Sequence, residues 1–223
     1  MSPATKAEIE EELRRRGINP HKPKRIPWEQ TARPEQLRPE GCIDFILLGG
    51  RAGGKTRAAA EDTLRIARQG NKVIHILAPT YKDVKTTCIK GVGGGSSLLE
   101  IADPAEIHAY NQTDLIVTFK NGSVIRGFTS EEPDRLNGVQ CSHLWVDEFG
   151  LCSIEAIDMA LLGLRLGDQV TSTWSSTPKP RPATKYVLGL YPDAHVSRMR
   201  TMDNAANLAK NFLDTVIRQY EGT

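Results

Sequence analysis

The chain has 223 residues, which is enough for one well-packed domain. Apolar residues make up 39% and charged residues 25%, as in soluble globular proteins, and a net charge of +2 neither requires nor excludes a nucleic-acid partner. No apolar run approaches the roughly 20 residues of a membrane-spanning helix, and residues 1–16 lack the apolar core of a signal peptide, which predicts a cytosolic protein without membrane contact.

The first 39 residues are charged and contain several prolines. Residues 7–16 have the composition of a short charged helix, which Gly17 and Pro20 would end. Residues 21–39 predict an extended arm that leads into the fold.

From residue 43 onwards, segments of strand length alternate with segments of helix length. Strands are predicted at 43–48, 73–78, 115–119, 123–128, 142–146, 170–176 and 196–202. Helices are predicted at 55–69, 154–166, 183–190 and 208–220. This alternation indicates an α/β domain with a mostly parallel central sheet flanked by helices, whose ligands bind beyond the carboxyl ends of the strands.

Two connections and the four cysteines have distinctive sequences. Asn121 and Gly122 separate two predicted strands and are a strong hairpin signal. The stretch 91–97 is rich in glycine, but no Lys-Thr or Lys-Ser follows it, which predicts a flexible loop and not a second phosphate site. The four cysteines match no metal or disulfide pattern, so we interpret them as buried thiols.

Eight residues between the first predicted strand and the helix after it fit the phosphate-loop pattern G-x-x-x-x-G-K-[ST] without a mismatch. They are Gly49, Gly50, Arg51, Ala52, Gly53, Gly54, Lys55 and Thr56. Glycines let backbone N–H groups surround a phosphate, and the helix dipole favours the same anion. Lys55 neutralises phosphate charge and the Thr56 hydroxyl can ligate Mg²⁺, which together predict ATP and Mg²⁺ as ligands.

A predicted strand ends in the adjacent acids Asp147 and Glu148. Two neighbouring carboxylates repel each other unless a cation is present. Next to a phosphate loop, Asp147 is expected to hold Mg²⁺ and Glu148 to activate the attacking water, whereas elsewhere such a pair often only solvates a loop. The second acid favours ATP hydrolysis over simple nucleotide binding.

The strand after these carboxylates ends in Ser175, Ser176 and Thr177. Hydroxyls at this position are expected to lie near the γ-phosphate and to couple its loss to movement. The alternative is an ordinary polar turn before Pro178.

The order and spacing of the short motifs resemble the ATPase half of terminase large subunits, nearest to those of tailed phages and gene transfer agents. The motifs are residues 32–37 (ARPEQL), 49–56 (the phosphate loop), 78–81 (APTY), 131–134 (EEPD), 145–148 (WVDE) and 175–179 (SSTPK). The resemblance implies a P-loop NTPase of the ASCE/RecA-like class, which hydrolyses ATP to translocate double-stranded DNA into a procapsid.

The resemblance also implies partners and a location. Such a motor works as a homo-oligomeric ring, which we expect to be a pentamer on the procapsid and a monomer in isolation. Its partners would be double-stranded DNA, the portal protein and the small terminase subunit. It would act in the cytoplasm of the host bacterium and transiently on the procapsid.

Further site residues follow from the family motifs. Gln36 matches the glutamine that recognises adenine, with Gln30 as the alternative. Arg51 matches an arginine typical of terminase phosphate loops, with an expected role in γ-phosphate contact or coupling. A surface location without function is the alternative for each of these side chains.

One departure from the family concerns the arginine finger that serves a neighbouring subunit. Asn137 occupies the position of the family's arginine, and Arg135 lies two residues earlier. We therefore take Arg135 as the candidate finger and Arg126 as the next candidate.

The late basic residues Lys179, Arg181 and Lys185 are candidates for the DNA-binding surface, with a solvated face as the alternative. The resulting organisation is an N-terminal charged arm at 1–27, a P-loop ATPase core at 28–202 and a helix or linker at 203–223, toward a nuclease domain that we expect to be absent from this chain. A helicase-like ATPase and an ATP-dependent assembly module with little turnover are the alternative functions.

Overall fold

The computed structural model of the chain describes residues 26–214, which form a sheet of eight strands with packed side chains on both faces. The strands are β1 (Asp44–Gly49), β2 (Val73–Ala78), β3 (Ile107–Asn111), β4 (Ile116–Phe119), β5 (Val124–Thr129), β6 (His143–Asp147), β7 (Thr171–Ser176) and β8 (His195–Met199). Their order across the sheet is β3-β4-β5-β2-β6-β7-β1-β8. The strands from β5 to β8 in this order are parallel, whereas β4 runs antiparallel to both neighbours.

Short and long helices connect the strands. They are α1 (Trp28–Thr31), α2 (Lys55–Ala67), α3 (Tyr81–Asp83), α4 (Leu98–Ile101), α5 (Ile154–Gly163) and α6 (Pro182–Leu190), and residues 210–214 are helical. A π-helical segment (Val84–Ile89) follows α3 directly, and 3-10 turns occur at Pro34–Gln36, Pro133–Leu136, Phe149–Leu151 and Thr201–Asn207. Within the described part of the chain, no helix is long and apolar enough to cross a membrane.

The strands at the centre of the sheet are buried on both faces. In β1, Phe45 and Leu47 join the apolar cluster that contains α2, whereas Ile46 and Leu48 join the cluster that contains α5 and α6. Alternate side chains of a strand point to opposite faces, so this division requires helices on both sides. The predicted α/β architecture with a mostly parallel central sheet is thereby confirmed.

Most predicted elements are present, but two regions differ. Strand β3 was missed because none of its side chains is fully buried and it lies at the edge of the sheet, so it has no apolar period. In the described part of the predicted extended arm, α1 and the Pro34–Gln36 turn replace extended chain. The predicted helix at 7–16 and the last part of the one at 208–220 lie outside the described residues, and the division at residues 27 and 202 stays a prediction.

A buried ion pair attaches this arm to the sheet. The Arg38 guanidinium contacts both carboxylate oxygens of Asp62 on α2, at 2.8 Å from Nη2 to Oδ2, and also donates to the Ser172 carbonyl at the start of β7. Burial alone would raise the pKa of Asp62, but the charge and hydrogen bonds of Arg38 outweigh it and hold that pKa well below its usual range. The ion pair therefore fixes the residues just before β1 against α2.

A second buried polar group has no such partner. Both ring nitrogens of His75, in the middle of β2, lack a hydrogen bond to the described residues, and the ring packs edge-on against Phe128 at 4.8 Å between centroids. Burial, assisted by the charge of Arg126, lowers the pKa of His75 to about 4. The imidazole is therefore neutral in the folded protein at neutral pH.

This histidine makes the fold sensitive to acid. Below about pH 6.5 the unfolded chain binds a proton at His75 that the folded chain does not bind until about pH 4, so the free energy of unfolding falls across this window. Between pH 7 and pH 5 the free energy of unfolding, measured by urea denaturation, should fall by about 2 kcal/mol less in His75→Leu than in the unsubstituted chain. His108→Gln, at an exposed position of β3, is the control that should keep the original loss. Equal losses in all three proteins would contradict this assignment.

Candidate active site

The motifs singled out in the sequence meet at the carboxyl edge of three neighbouring strands. Strand β7 lies between β6 and β1, and the register pairs Asp147 with Ser175 and Leu48 with Ser176. The phosphate loop follows β1 directly, and the 3-10 turn at Phe149–Leu151 follows β6. The phosphate loop, the two carboxylates and the hydroxyl groups predicted for the site therefore lie side by side.

The phosphate loop has the backbone that its sequence predicts. Ala52 and Gly54 have positive φ angles of 56° and 91°, and α2 begins at Lys55. The Lys55 ammonium donates to the carbonyls of Gly49 and Gly50, both at 3.0 Å, and only 7% of the residue is exposed. Burial lowers the pKa of Lys55, while the Glu148 and Asp147 carboxylates act in the opposite direction. The ammonium is thus held inside the loop and near both acids.

Side chains from outside the loop bind its carbonyls one after another. Thr201 donates to the Arg51 carbonyl at 2.8 Å, Asn204 to the Ala52 carbonyl at 2.7 Å and Arg33 to the Gly53 carbonyl at 2.6 Å. The sequence did not predict these three contacts, although Arg33 lies within the ARPEQL motif. They fix the loop from the side of the arm and from the turn after β8.

The two candidate glutamines lie in different environments. Gln36 is 6% exposed, accepts from the Arg33 backbone N–H at 3.1 Å and donates to the Gly54 carbonyl at 3.3 Å. Gln30 is exposed on α1 and does not line the cleft beside the loop. Gln36 does line it, so its amide is the one that can contact a ligand there.

This cleft has a volume of about 810 Å³. Its wall includes Lys55, Thr56, Gln36, Trp28, Asn204 and most of the glycine-rich stretch 91–97. The phosphate loop, the arm and the segment after β8 therefore surround one space.

Asp147 is buried at the end of β6. The Ser175 hydroxyl donates to its Oδ1 at 2.5 Å and itself accepts from the Trp145 indole N–H at 3.1 Å. The Cys88 thiol lies 3.8 Å from Oδ2. Burial raises the pKa of the Asp147 carboxyl to about 6, against the opposing hydrogen bond from Ser175. The orientation of the carboxylate is therefore fixed by its neighbours.

These residues fit a Mg²⁺ site of the kind found in nucleotide-dependent enzymes. A buried carboxylate and the Thr56 hydroxyl are hard oxygen donors. Among residues 26–214, no group of three or more His, Cys, Asp or Glu side chains is placed to hold a metal. Mg²⁺ normally takes its remaining ligands from phosphates and water, so few protein ligands suffice.

Glu148 has an unusual backbone and a defined side-chain contact. Its φ and ψ angles are 44° and 47°, in the left-handed region that costs a residue with a Cβ about 1–2 kcal/mol. Its carboxylate accepts from the backbone N–H and the hydroxyl of Thr177, at 3.2 and 3.3 Å. The strained turn thus directs the carboxylate toward the end of β7.

All three hydroxyl residues at the end of β7 contact the carboxylate turn. Ser175 donates to Asp147, the Ser176 hydroxyl accepts from the Gly150 N–H at 3.2 Å, and Thr177 donates to Glu148. These hydroxyl residues therefore bind the turn that carries both acids, and their coupling role stays a prediction.

The candidate arginines occupy three different environments. Arg51 is exposed at the tip of the phosphate loop. The Arg135 side chain is 70% exposed and forms an ion pair with Glu132 at 2.7 Å. Arg126 lies within β5, away from the carboxyl edge. Both finger candidates are exposed, but Arg135 follows the carboxyl end of β5, whereas Arg126 lies within that strand.

The three basic residues proposed for DNA are exposed and begin two residues after Thr177. The Lys179 N–H donates to the Thr177 carbonyl and the Arg181 N–H to the Lys179 carbonyl, both at 2.8 Å. Arg181 precedes α6, and Lys185 lies on that helix. Thr177 therefore connects the basic segment directly to Glu148.

Comparison with known proteins identifies one family. A family model described as "Terminase large subunit, T4likevirus-type, N-terminal" matches residues 46–223. No curated protein sequence matches the chain significantly.

Solved structures agree with this match at the level of the fold. The large terminase of a thermophilic bacteriophage aligns with a TM-score of 0.64 and 16% identity over 88% of this chain and 48% of that chain. The same bacteriophage protein in complex with ATP-gamma-S aligns with a TM-score of 0.58, 16% identity and the same coverage. The large terminase ATPase domain of Thermus phage P74-26 aligns with a TM-score of 0.58 and 15% identity over 93% of this chain and 91% of that domain.

The chain spans about half the length of the large terminase from the thermophilic bacteriophage, 48% of that chain. At these identities the solved structures show the fold, a RecA-like α/β domain, and the family model shows the relationship. The chain therefore belongs to the terminase large subunit family, in the region that the N-terminal family model describes.

Proposed function

We propose that this chain is the ATPase motor part of a terminase large subunit, which hydrolyses ATP with Mg²⁺ to drive double-stranded DNA into a procapsid. The observation that carries the proposal is the contact of Ser175, Ser176 and Thr177 with the Asp147–Gly150 turn beside the phosphate loop. The ATP-gamma-S bound to the large terminase of the thermophilic bacteriophage and the family match support it.

Each site residue then has a chemical role. Backbone N–H groups of the phosphate loop and the Lys55 ammonium bind the phosphates, and Gln36 contacts the adenine. Thr56 and Asp147 hold Mg²⁺, which supplies positive charge to the phosphates. The Glu148 carboxylate accepts a proton from the attacking water, and Thr177 orients that carboxylate through two hydrogen bonds.

Thr177 would also couple DNA binding to ATP hydrolysis. Its carbonyl accepts from Lys179, and its N–H and hydroxyl hold Glu148. A DNA phosphate bound at Lys179, Arg181 or Lys185 would pull on the segment that holds the catalytic base. Hydrolysis would then depend on whether DNA is engaged.

The two candidate arginines would serve different sites, one in its own subunit and one in the neighbouring subunit. Arg51 belongs to the phosphate loop and would contact the γ-phosphate of its own subunit. Arg135 is exposed and would reach the site of an adjacent subunit in a ring, which we propose to be a pentamer on the procapsid. The portal protein and the small terminase subunit would be its partners, in the cytoplasm of the host bacterium.

The assembly-module alternative is favoured by one observation: each Glu148 carboxylate oxygen already accepts a hydrogen bond from Thr177, which reduces the lone pairs left for an attacking water. The helicase-like alternative is less favoured because the family model that matches residues 46–223 is that of a terminase large subunit.

Replacing Glu148 by Gln separates the motor from the assembly module. The amide keeps the size of the side chain but cannot accept the proton, so turnover should fall by about 10²-fold or more while ATP binding survives. Phosphate release is measured with DNA and portal present, and binding by titration with ATP-gamma-S. Glu155→Gln, exposed on α5, should retain full turnover. Measurable turnover that Glu148→Gln leaves unchanged would remove Glu148 as the base, whereas negligible turnover of the unsubstituted chain would leave the assembly module.

The adenine contact is tested by a pair of glutamine variants. Gln36→Ala removes a buried amide from the cleft and should weaken ATP binding about tenfold, the scale of one lost buried hydrogen bond. Gln30→Ala removes an exposed amide outside the cleft and should bind as the unsubstituted chain does. The reverse result would transfer the role to Gln30.

DNA binding should be non-specific and should weaken with salt, because it is carried by phosphate contacts. Replacing Lys179, Arg181 and Lys185 together by Ala should reduce the slope of log K against log salt by about 2.7, if each contacts one phosphate. Lys72, Lys120 and Arg165, near the amino ends of the central strands, form the control triple. An equal change in both triples would remove the basic segment from the DNA surface.

A further inference from the structure

The glycine-rich stretch 91–97 has no assigned role, and its sequence predicts only a flexible loop. The structure places it in the wall of the nucleotide cleft, where Gly91, Val92, Gly94, Gly95, Ser96 and Ser97 line the same space as Lys55 and Gln36. Val92 is 82% exposed. An apolar side chain beside a ligand cleft is one that a bound ligand can cover.

One carboxylate fixes the backbone of this loop. Glu100 accepts from the N–H groups of Gly93, Ser96 and Ser97, at 2.5, 3.0 and 3.2 Å, and from the Ser97 hydroxyl at 2.9 Å. Gly91 lies so close that a Cβ added there would clash with the Glu100 carboxyl group. The loop therefore has a defined conformation despite its composition.

Arg57 connects the loop to the phosphate-binding helix. This residue follows Thr56, and its Nη1 donates to the Gly95 carbonyl at 2.6 Å. Its Nε and Nη2 bind Glu61 Oε1 at 2.9 and 2.7 Å, and its guanidinium lies over the Trp28 ring at 5.2 Å. A shift of the first turn of α2 is thus passed directly to the loop and to Trp28.

We propose that residues 91–97 form a second wall of the nucleotide site, which contacts a bound nucleoside triphosphate and slows its release, and that Arg57 positions this wall. The inference rests on the proposed function, since it needs ATP in the cleft. Residues 91–97 and Arg57 would then belong to the nucleotide site in addition to the phosphate loop and Gln36.

The backbone of Gly93 allows a direct test. Its φ angle is +97° and nothing lies within 4 Å of the position that a Cβ would take, so Gly93→Ala introduces backbone strain without a steric clash. Dissociation of mant-ATP with Mg²⁺ is followed by stopped-flow fluorescence during a chase with unlabelled ATP. Release should become about tenfold faster, because strain in the wall weakens its contact with the nucleotide.

Gly167 supplies the matched control. Its φ angle is also +97° and it too has no atom within 4 Å, but neither of its chain neighbours lines the cleft, whereas both neighbours of Gly93 do. Gly167→Ala should therefore suffer the same strain but release mant-ATP at the original rate. Equal release rates for Gly93→Ala and the unsubstituted chain would overturn the inference. Failure of the unsubstituted chain to bind mant-ATP would overturn the proposed function, and the inference with it.

Arg57 is tested through its dependence on the loop. Arg57→Lys keeps the charge but loses the fork that joins Gly95 to Glu61, so release should again be faster. If Arg57 acts through the wall, the double variant with Gly93→Ala should release mant-ATP no faster than the faster single variant. If the rate increases of the two single variants instead multiply in the double variant, Arg57 acts independently of the loop and has no positioning role.

Trp28 provides a second measurement. Trp145 and Trp174 are fully buried, whereas Trp28 lines the cleft. ATP binding should therefore change the emission of Trp28, and Trp28→Phe should abolish that change. Gly93→Ala should reduce it at saturating ATP. A full Trp28 response in Gly93→Ala would count against contact between residues 91–97 and the bound nucleotide.

Discussion

The position of β7 between β1 and β6 is the constraint on which the site depends. Parallel neighbours in register bring the ends of three strands to one level, so the phosphate loop, the two acids and the three hydroxyl residues cannot be far apart. The hydrogen bond from Ser175 to Asp147 is a direct product of this register. The geometry of this edge is therefore a property of the sheet and not of the loops alone.

The arm before β1 illustrates how a surface segment becomes part of a site. Arg38 ties it to α2 and β7 through buried contacts, and Arg33 ties it to the phosphate loop. Gln36 lies between these two arginines in the sequence, so their contacts also fix its position. A buried ion pair is costly to break because one charge would remain without a partner, so loss of this attachment would destabilise the fold.

The sequence predicted the fold class and the central elements because their signals are local. The strand, loop and helix around Lys55 read as a continuous pattern, and β2 begins and ends at the predicted residues. The edge strand β3 escaped because its side chains are not buried. The contacts of Thr201 and Asn204 with the phosphate loop are separated from it by about 150 residues, and no local pattern encodes such a pairing.

The left-handed backbone of Glu148 has a consequence for engineering and natural variation. Glycine is the residue that this backbone favours, and glycine has no carboxylate. Selection for thermal stability alone would therefore tend to replace Glu148, whereas the base role that we propose for its carboxylate would retain a residue that the local chain disfavours. A library screened only for folded protein would enrich molecules that lack this carboxylate, so a stabilised version of this domain that keeps the proposed chemistry has to be sought with Glu148 held constant.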